Sequence, residues 1–171
     1  VFVTGAWQDE QTGGHFPALF DDFSGSPHVK FTMFNGVHAD GYQTVPVLCY
    51  HRFGNRASKL TVTPAAFAAQ MEYLARNGYH VVPLARLRDF LAGKEPLPKQ
   101  SVVITIDDGY RATYEIAFPI LKKHGFPATV FLYSDFVGAG DALSFAQMKE
   151  LIASGHEVAL MEKDRPRARQ I

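Results

Sequence analysis

Residues 101–110 read SVVITIDDGY, and this stretch decides the fold. Val102, Val103, Ile104 and Ile106 form an apolar run bounded by turn signals. β-Branched residues pack well on both faces of a covered sheet, so the run predicts a buried strand of the parallel kind. Successive strand side chains point to opposite faces. Asp107 and Asp108, adjacent at the strand's end, are therefore suited to different tasks, one holding a cation and the other working on a water. Gly109 lets the backbone turn sharply and approach a ligand closely. Taken alone, DDG also reads as a simple turn in which one aspartate caps the next helix.

Working outward, VPVLCY (45–50) is an apolar strand that ends at His51. Thr63-Pro64 supplies an N-cap and a proline at the first helical position, and Phe67, Met71 and Leu74 follow at helical spacing up to a stop at Asn77-Gly78. YHVVPL (79–84) predicts a strand, and Leu84, Leu87, Phe90 and Leu91 a short amphipathic helix. Beyond the central stretch, residues 111–124 predict a helix with Ile116, Ile120 and Leu121 inside and a kink at Pro119. PATVFLY (127–133) predicts another strand. Ser144 caps a helix carrying Phe145, Met148, Leu151 and Ile152, and HEVALM (156–161) predicts a last strand. Regular alternation of strand and helix implies parallel strands with helices outside, an α/β class.

Composition sets the outer limits. The chain has 171 residues, of which 47% are hydrophobic, enough for a real core. Lys+Arg 17 balances Asp+Glu 17, so no overall field favours nucleic acid or an anionic membrane. No apolar run approaches membrane-spanning length, and no signal peptide is visible. The single cysteine, Cys49, has no partner for an internal disulfide and reads as a small core residue.

Residues 1–43 differ in character. VFVTG (1–5) and VKFTMF (29–34) read as strands, and residues 15–23 as a short helix. The loops that follow the two strands carry Asp9, in GAWQDEQTG, and His38, in NGVHAD. This block resembles a piece of the α/β-hydrolases of the cocaine-esterase and X-Pro-peptidase type, in which an acid and a histidine at those places complete a serine triad. The nucleophile would need a G-x-S-x-G elbow, which the sequence lacks. Asp9 and His38 read equally as ordinary loop residues.

Residues 45–155 resemble the polysaccharide deacetylases of carbohydrate esterase family four, and within it the biofilm poly-β-1,6-N-acetylglucosamine deacetylases. The stretches that carry the likeness are VPVLCYHRFG, TPAAFAAQMEYLARNGYHVVPL, SVVITIDDGY and KKHGFPATVFLY, in family order. The resemblance implies an incomplete distorted (β/α) barrel over residues 44–161, followed by a charged tail at 162–171. It implies that Asp107 is the general base, Asp108 the metal-binding aspartate, and His51 the proton donor to the leaving amine. Tyr110 could line the sugar site or simply fill the core. The implied cofactor is a divalent metal, zinc or similar, and the implied substrate an N-acetylated polysaccharide met outside the cytoplasm. A metal of this kind lowers the pKa of its water and polarises the acetyl carbonyl.

One element departs from the family. Beside its metal aspartate the family carries H-[ST]-x-x-H, and the two slots here hold Met161 and Arg165. A thioether is a poor ligand for a hard cation, and arginine repels it. One carboxylate falls short of the roughly three protein ligands of a catalytic zinc site. His156 reads as a strand-start residue at the opposite end of the barrel. Impaired deacetylation is the expectation, with self-association through uncovered strand edges.

Overall fold

A computed structural model describes residues 2–6, 30–34 and 45–161. Two short strands, β1 (Phe2–Ala6) and β2 (Lys30–Phe34), pair in parallel. The predicted strands of the first block are thus present among the described residues. Its predicted helix, with Asp9 and His38, lies outside the described residues, as does Arg165.

The body of the fold follows from β3 (Val47–Tyr50) onward. Its elements are β4 (Arg52–Phe53), β5 (Thr61–Val62), α1 (Pro64–Arg76), β6 (His80–Val81), α2 (Leu84–Leu91) and β7 (Ser101–Ile106). After these come a π-helical turn (Thr113–Ala117), α3 (Phe118–His124), β8 (Thr129–Leu132), α4 (Phe145–Ala153) and β9 (Glu157–Leu160). The strands run β3-β7-β8-β9, all parallel, with β6 paired to the start of β7. The expected α/β class and parallel sheet are observed. Helices alternate with the strands because a parallel connection needs a crossover.

All six residues of β7 are buried, as its unbroken apolar run requires. Its even-numbered side chains, Val102, Ile104 and Ile106, enter the main core with Leu48 and Tyr50 of β3, Phe67, Met71 and Leu74 of α1, and Leu121 of α3. Val103, on the other face, packs with Val47, Val82 and Leu87. The same face carries Thr105, opposite Cys49 in the β3 register, and then Asp107. Alternation along two paired strands thus separates a helix-covered core from a face that turns polar at its C-terminal end.

Local chemistry sets the helix ends. The Thr63 hydroxyl accepts the Ala66 N–H at 3.2 Å, a cap worth about 1 kcal/mol, with Pro64 following it. Ser144 and Gln147 cap α4 reciprocally. The helix expected over 111–124 is interrupted. Pro119 has no N–H to continue the ladder, and the chain widens into the π-helical turn just before it. The predicted strand at 79–84 shortens to two residues, ended by Pro83.

Three expected core positions are not core. Phe145 and Ile152 are exposed, while Leu151 is buried and Met148 packs against the core. Phe145 and Ile152 lie seven residues apart and share one stripe of α4, but Met148 and Leu151 define the stripe that meets the sheet. Leu91, read as the inner face of α2, is 75% exposed.

Candidate active site

The site is built where β3 and β7 end side by side. The last register pair is Tyr50 with Ile106. One step further, the Asp107 N–H donates to the Tyr50 carbonyl at 2.8 Å, which holds Asp107 beside the β3 terminus. Cys49, in β3, and His51, one residue past its end, are two apart in the chain and both approach Asp107. The Cys49 thiol donates to Asp107 Oδ2 at 3.4 Å, and His51 Nε2 lies 3.7 Å from the same oxygen. That second distance is beyond a hydrogen bond and suits a shared water. All three residues are half-buried.

Cys49 is therefore not the inert core residue that its apolar surroundings suggested. Its side chain is partly open and its sulfur meets the central carboxylate. Burial pushes the thiol up to about 11, with the Thr105 hydroxyl opposing and the Asp107 charge reinforcing that shift. At neutral pH it is a protonated donor rather than a nucleophile. Between β3 and the core, the buried Tyr50 hydroxyl donates to Gln70 Oε1 at 2.9 Å, which satisfies both groups and fixes the strand end.

Asp108 turns the other way. Its φ is +72°, in the left-handed region that a non-glycine residue seldom adopts, and Gly109 follows at +70°. A side chain on Gly109 would meet Leu132 Cβ at 2.6 Å, so the close approach of this turn to β8 demands glycine. The double turn carries Asp108 to a cavity of about 290 Å³ lined with Tyr110, Tyr133, Asp135 and Phe136. Tyr110 packs edge-on against Phe136, and the Arg52 guanidinium sits 4.0 Å above its ring and donates to its hydroxyl. The cavity is at the small end of the range for ligand pockets and is walled largely by rings. Tyr110 thus lines a cavity rather than filling the core. Arg52 gave no signal in the sequence, because its partner lies 58 residues away.

The adjacent acids are divided as strand alternation predicts, Asp107 toward Cys49 and His51, Asp108 toward the aromatic cavity. Both sit at the C-terminal end of a strand in a parallel sheet, where ligands of α/β folds bind. His156 lies at the other end, just before β9. It is 6% exposed, and its Nδ1 accepts the Ala128 N–H at 3.1 Å.

A family model described as polysaccharide deacetylase matches residues 94–168, which include both aspartates. The match covers less than half of the chain, and the α/β fold is like that of solved deacetylase domains. Among solved structures, IcaB from Ammonifex degensii is 38% identical with a TM-score of 0.63, over 67% of this chain and 51% of that one. The poly-β-1,6-N-acetyl-D-glucosamine N-deacetylase of Escherichia coli K12 is 41% identical over 69 residues, 40% of this chain and 10% of that protein. The enzyme of the same name from Staphylococcus epidermidis is 34% identical over 102 residues, 56% of this chain and 34% of that protein. The chain spans at most 39% of the length of these curated relatives and of the Bacillus subtilis protein YxkH. Partial coverage of the solved domain fits an incomplete deacetylase barrel. The relatives that match are deacetylases, and the α/β-hydrolase likeness of residues 1–43 rests on sequence alone.

The deacetylase family is generally metal-dependent, which calls for a set of convergent donors beside its aspartate. Asp108 joins no group of three metal-ligating side chains among the described residues. Met161, in the first family histidine slot, offers a thioether next to the end of β8, its N–H donating to the Leu132 carbonyl. Among the described residues, the carboxylates of the aromatic cavity are Asp108 and Asp135, short of the roughly three protein ligands of a catalytic zinc site.

Proposed function

We propose that this domain hydrolyses N-acetyl groups on N-acetylglucosamine polymers, weakly, with Asp107 as general base and His51 as general acid. The observation that carries the reading is the 3.7 Å approach of His51 Nε2 to Asp107 Oδ2 at the C-terminal ends of two paired parallel strands. Asp107 takes a proton from a water that attacks the acetyl carbonyl, and His51 gives one to the departing sugar nitrogen. Each such proton transfer contributes roughly 10²–10⁴-fold. The aromatic cavity beside Asp108 receives the sugar ring, whose C–H faces suit Tyr110, Tyr133 and Phe136.

The weak link is the oxyanion. A tetrahedral intermediate needs positive charge or preorganised donors at its oxygen, and loss of one such group costs about 10²–10³-fold. Asp108, which joins no three-ligand group among the described residues, supplies neither. Among the described residues, the open edge of β9, with Leu160 69% exposed, supports self-association as well.

Release of acetate from a β-1,6-linked N-acetylglucosamine oligomer tests the reading. Slow release is expected, and Asp107→Asn should lower it by about 100-fold or more without unfolding the chain. Release that survives this substitution rules the assignment out.

A further inference from the structure

We propose that Cys49 Sγ, His51 Nε2 and Asp107 Oδ2 form a three-ligand site for a zinc-class divalent cation, separate from the family's arrangement on Asp108. The three donor atoms lie within 4.8 Å of one another, and among the described residues they are the one such group. Their spacing is close to what a bound ion requires. Tetrahedral bonds of ordinary zinc length put sulfur and carboxylate oxygen about 3.6 Å apart, and imidazole nitrogen and carboxylate oxygen about 3.4 Å apart. The observed separations are 3.4 Å and 3.7 Å. These two separations are within a few tenths of an ångström of those around a common cation, and sulfur and nitrogen lie within 4.8 Å of each other.

The chemistry of the set selects the ion. Thiolate with imidazole favours zinc and its softer neighbours over magnesium or calcium, which take oxygen. The scaffold is built on paired strands: Cys49 is in β3, His51 directly follows it, and Asp107 is held by its backbone bond to Tyr50. All three side chains are half-buried, which leaves a path in and a fourth position open to water. Binding breaks the Cys49 S–H bond, forms a sulfur–metal bond and releases the proton to solvent. The sulfur that now donates to Asp107 then shares the cation with it.

The site shares Asp107 and His51 with the proposed deacetylase chemistry but does not rest on it. An ion held there occupies the lone pairs that the base and the acid would use, so filling the site opposes acetyl hydrolysis. The test therefore reads the metal and not the reaction. Cobalt(II) is titrated into the full chain under reducing conditions at neutral pH. One equivalent should bind with a thiolate-to-cobalt charge-transfer band and the intense visible bands of tetrahedral cobalt. Cys49→Ser should abolish the charge-transfer band and weaken binding at least about tenfold, while Asp108→Asn leaves both unchanged. X-ray absorption on the zinc-loaded native chain, independent of any variant, should show one sulfur at about 2.3 Å. No binding, a spectrum without the thiolate band, loss of binding in Asp108→Asn, or a shell of nitrogen and oxygen only would each overturn the site.

Discussion

The two ends of the parallel sheet carry the same kinds of residue and use them differently. At the C-terminal end, Asp107 and His51 meet each other and Cys49 through side chains, and all three are partly open. At the N-terminal end, His156 and Glu157 are held by backbone. His156 Nδ1 accepts the Ala128 N–H, and the Glu157 carboxylate accepts the Leu84 and Ala85 N–H groups and the Thr129 hydroxyl. Glu157 thereby caps α2, whose N-terminal Pro83 has no side chain to do so. A carboxylate satisfied by backbone donors is structural. A carboxylate satisfied by titratable side chains keeps lone pairs and protons available for chemistry.

Three substitutions sharpen that contrast, taken from the largest effect downward. Gly109→Ala strikes the backbone of the site end, where a positive φ combines with a 2.6 Å approach to Leu132. A loss of about 2–4 kcal/mol in urea unfolding is expected, and a loss under about 1 kcal/mol would mean that the turn is not held there. Glu157→Gln keeps the shape of the other end and removes its charge. It should cost about 1 kcal/mol and leave acetate release unchanged, because its worth lies in capping α2. A fall in acetate release without a fall in stability would break the division between the ends.

The smallest effect is a pH dependence. Burial holds the His156 pKa below its ordinary value. The unfolded chain then binds the proton more readily, so the stabilisation is complete above about pH 6.5 and is lost as pH falls toward the folded value. His156→Asn preserves an acceptor for Ala128 without a titrating ring. The native chain should lose more stability than this variant between pH 7 and pH 5, and parallel losses would place the His156 ring in water.

Much of this was legible in the sequence, and the parts that were not share a cause. The apolar run before Asp107 announced a buried strand because only doubly covered strands tolerate it. Alternation predicted that Asp107 and Asp108 part, although both lie past the end of β7 and a left-handed turn carries Asp108 away. The N-cap at Thr63 and the capping box at Ser144 are contacts across three residues, within reach of local pattern. Cys49 with Asp107 spans 58 residues and Glu157 with Leu84 spans 73, so strand pairing had to be known before either could be seen. Phe145 and Ile152 were misplaced because α4 buries one narrow stripe, and apolar composition does not say which. Near Pro119 a kink was expected, and a π-helical turn lies just before it, which local pattern did not indicate.

The central claim is that the deacetylase machinery survives on the Asp107 side and is incomplete on the Asp108 side. Acetate release with zinc present, compared between two Cys49→Ser chains, one of which also carries Met161→His/Arg165→His, tests it most directly. Supplying two imidazoles should raise release by about 100-fold or more if charge at the oxyanion is what is missing. Equal release from the two chains, or full activity without the added imidazoles, would contradict the account.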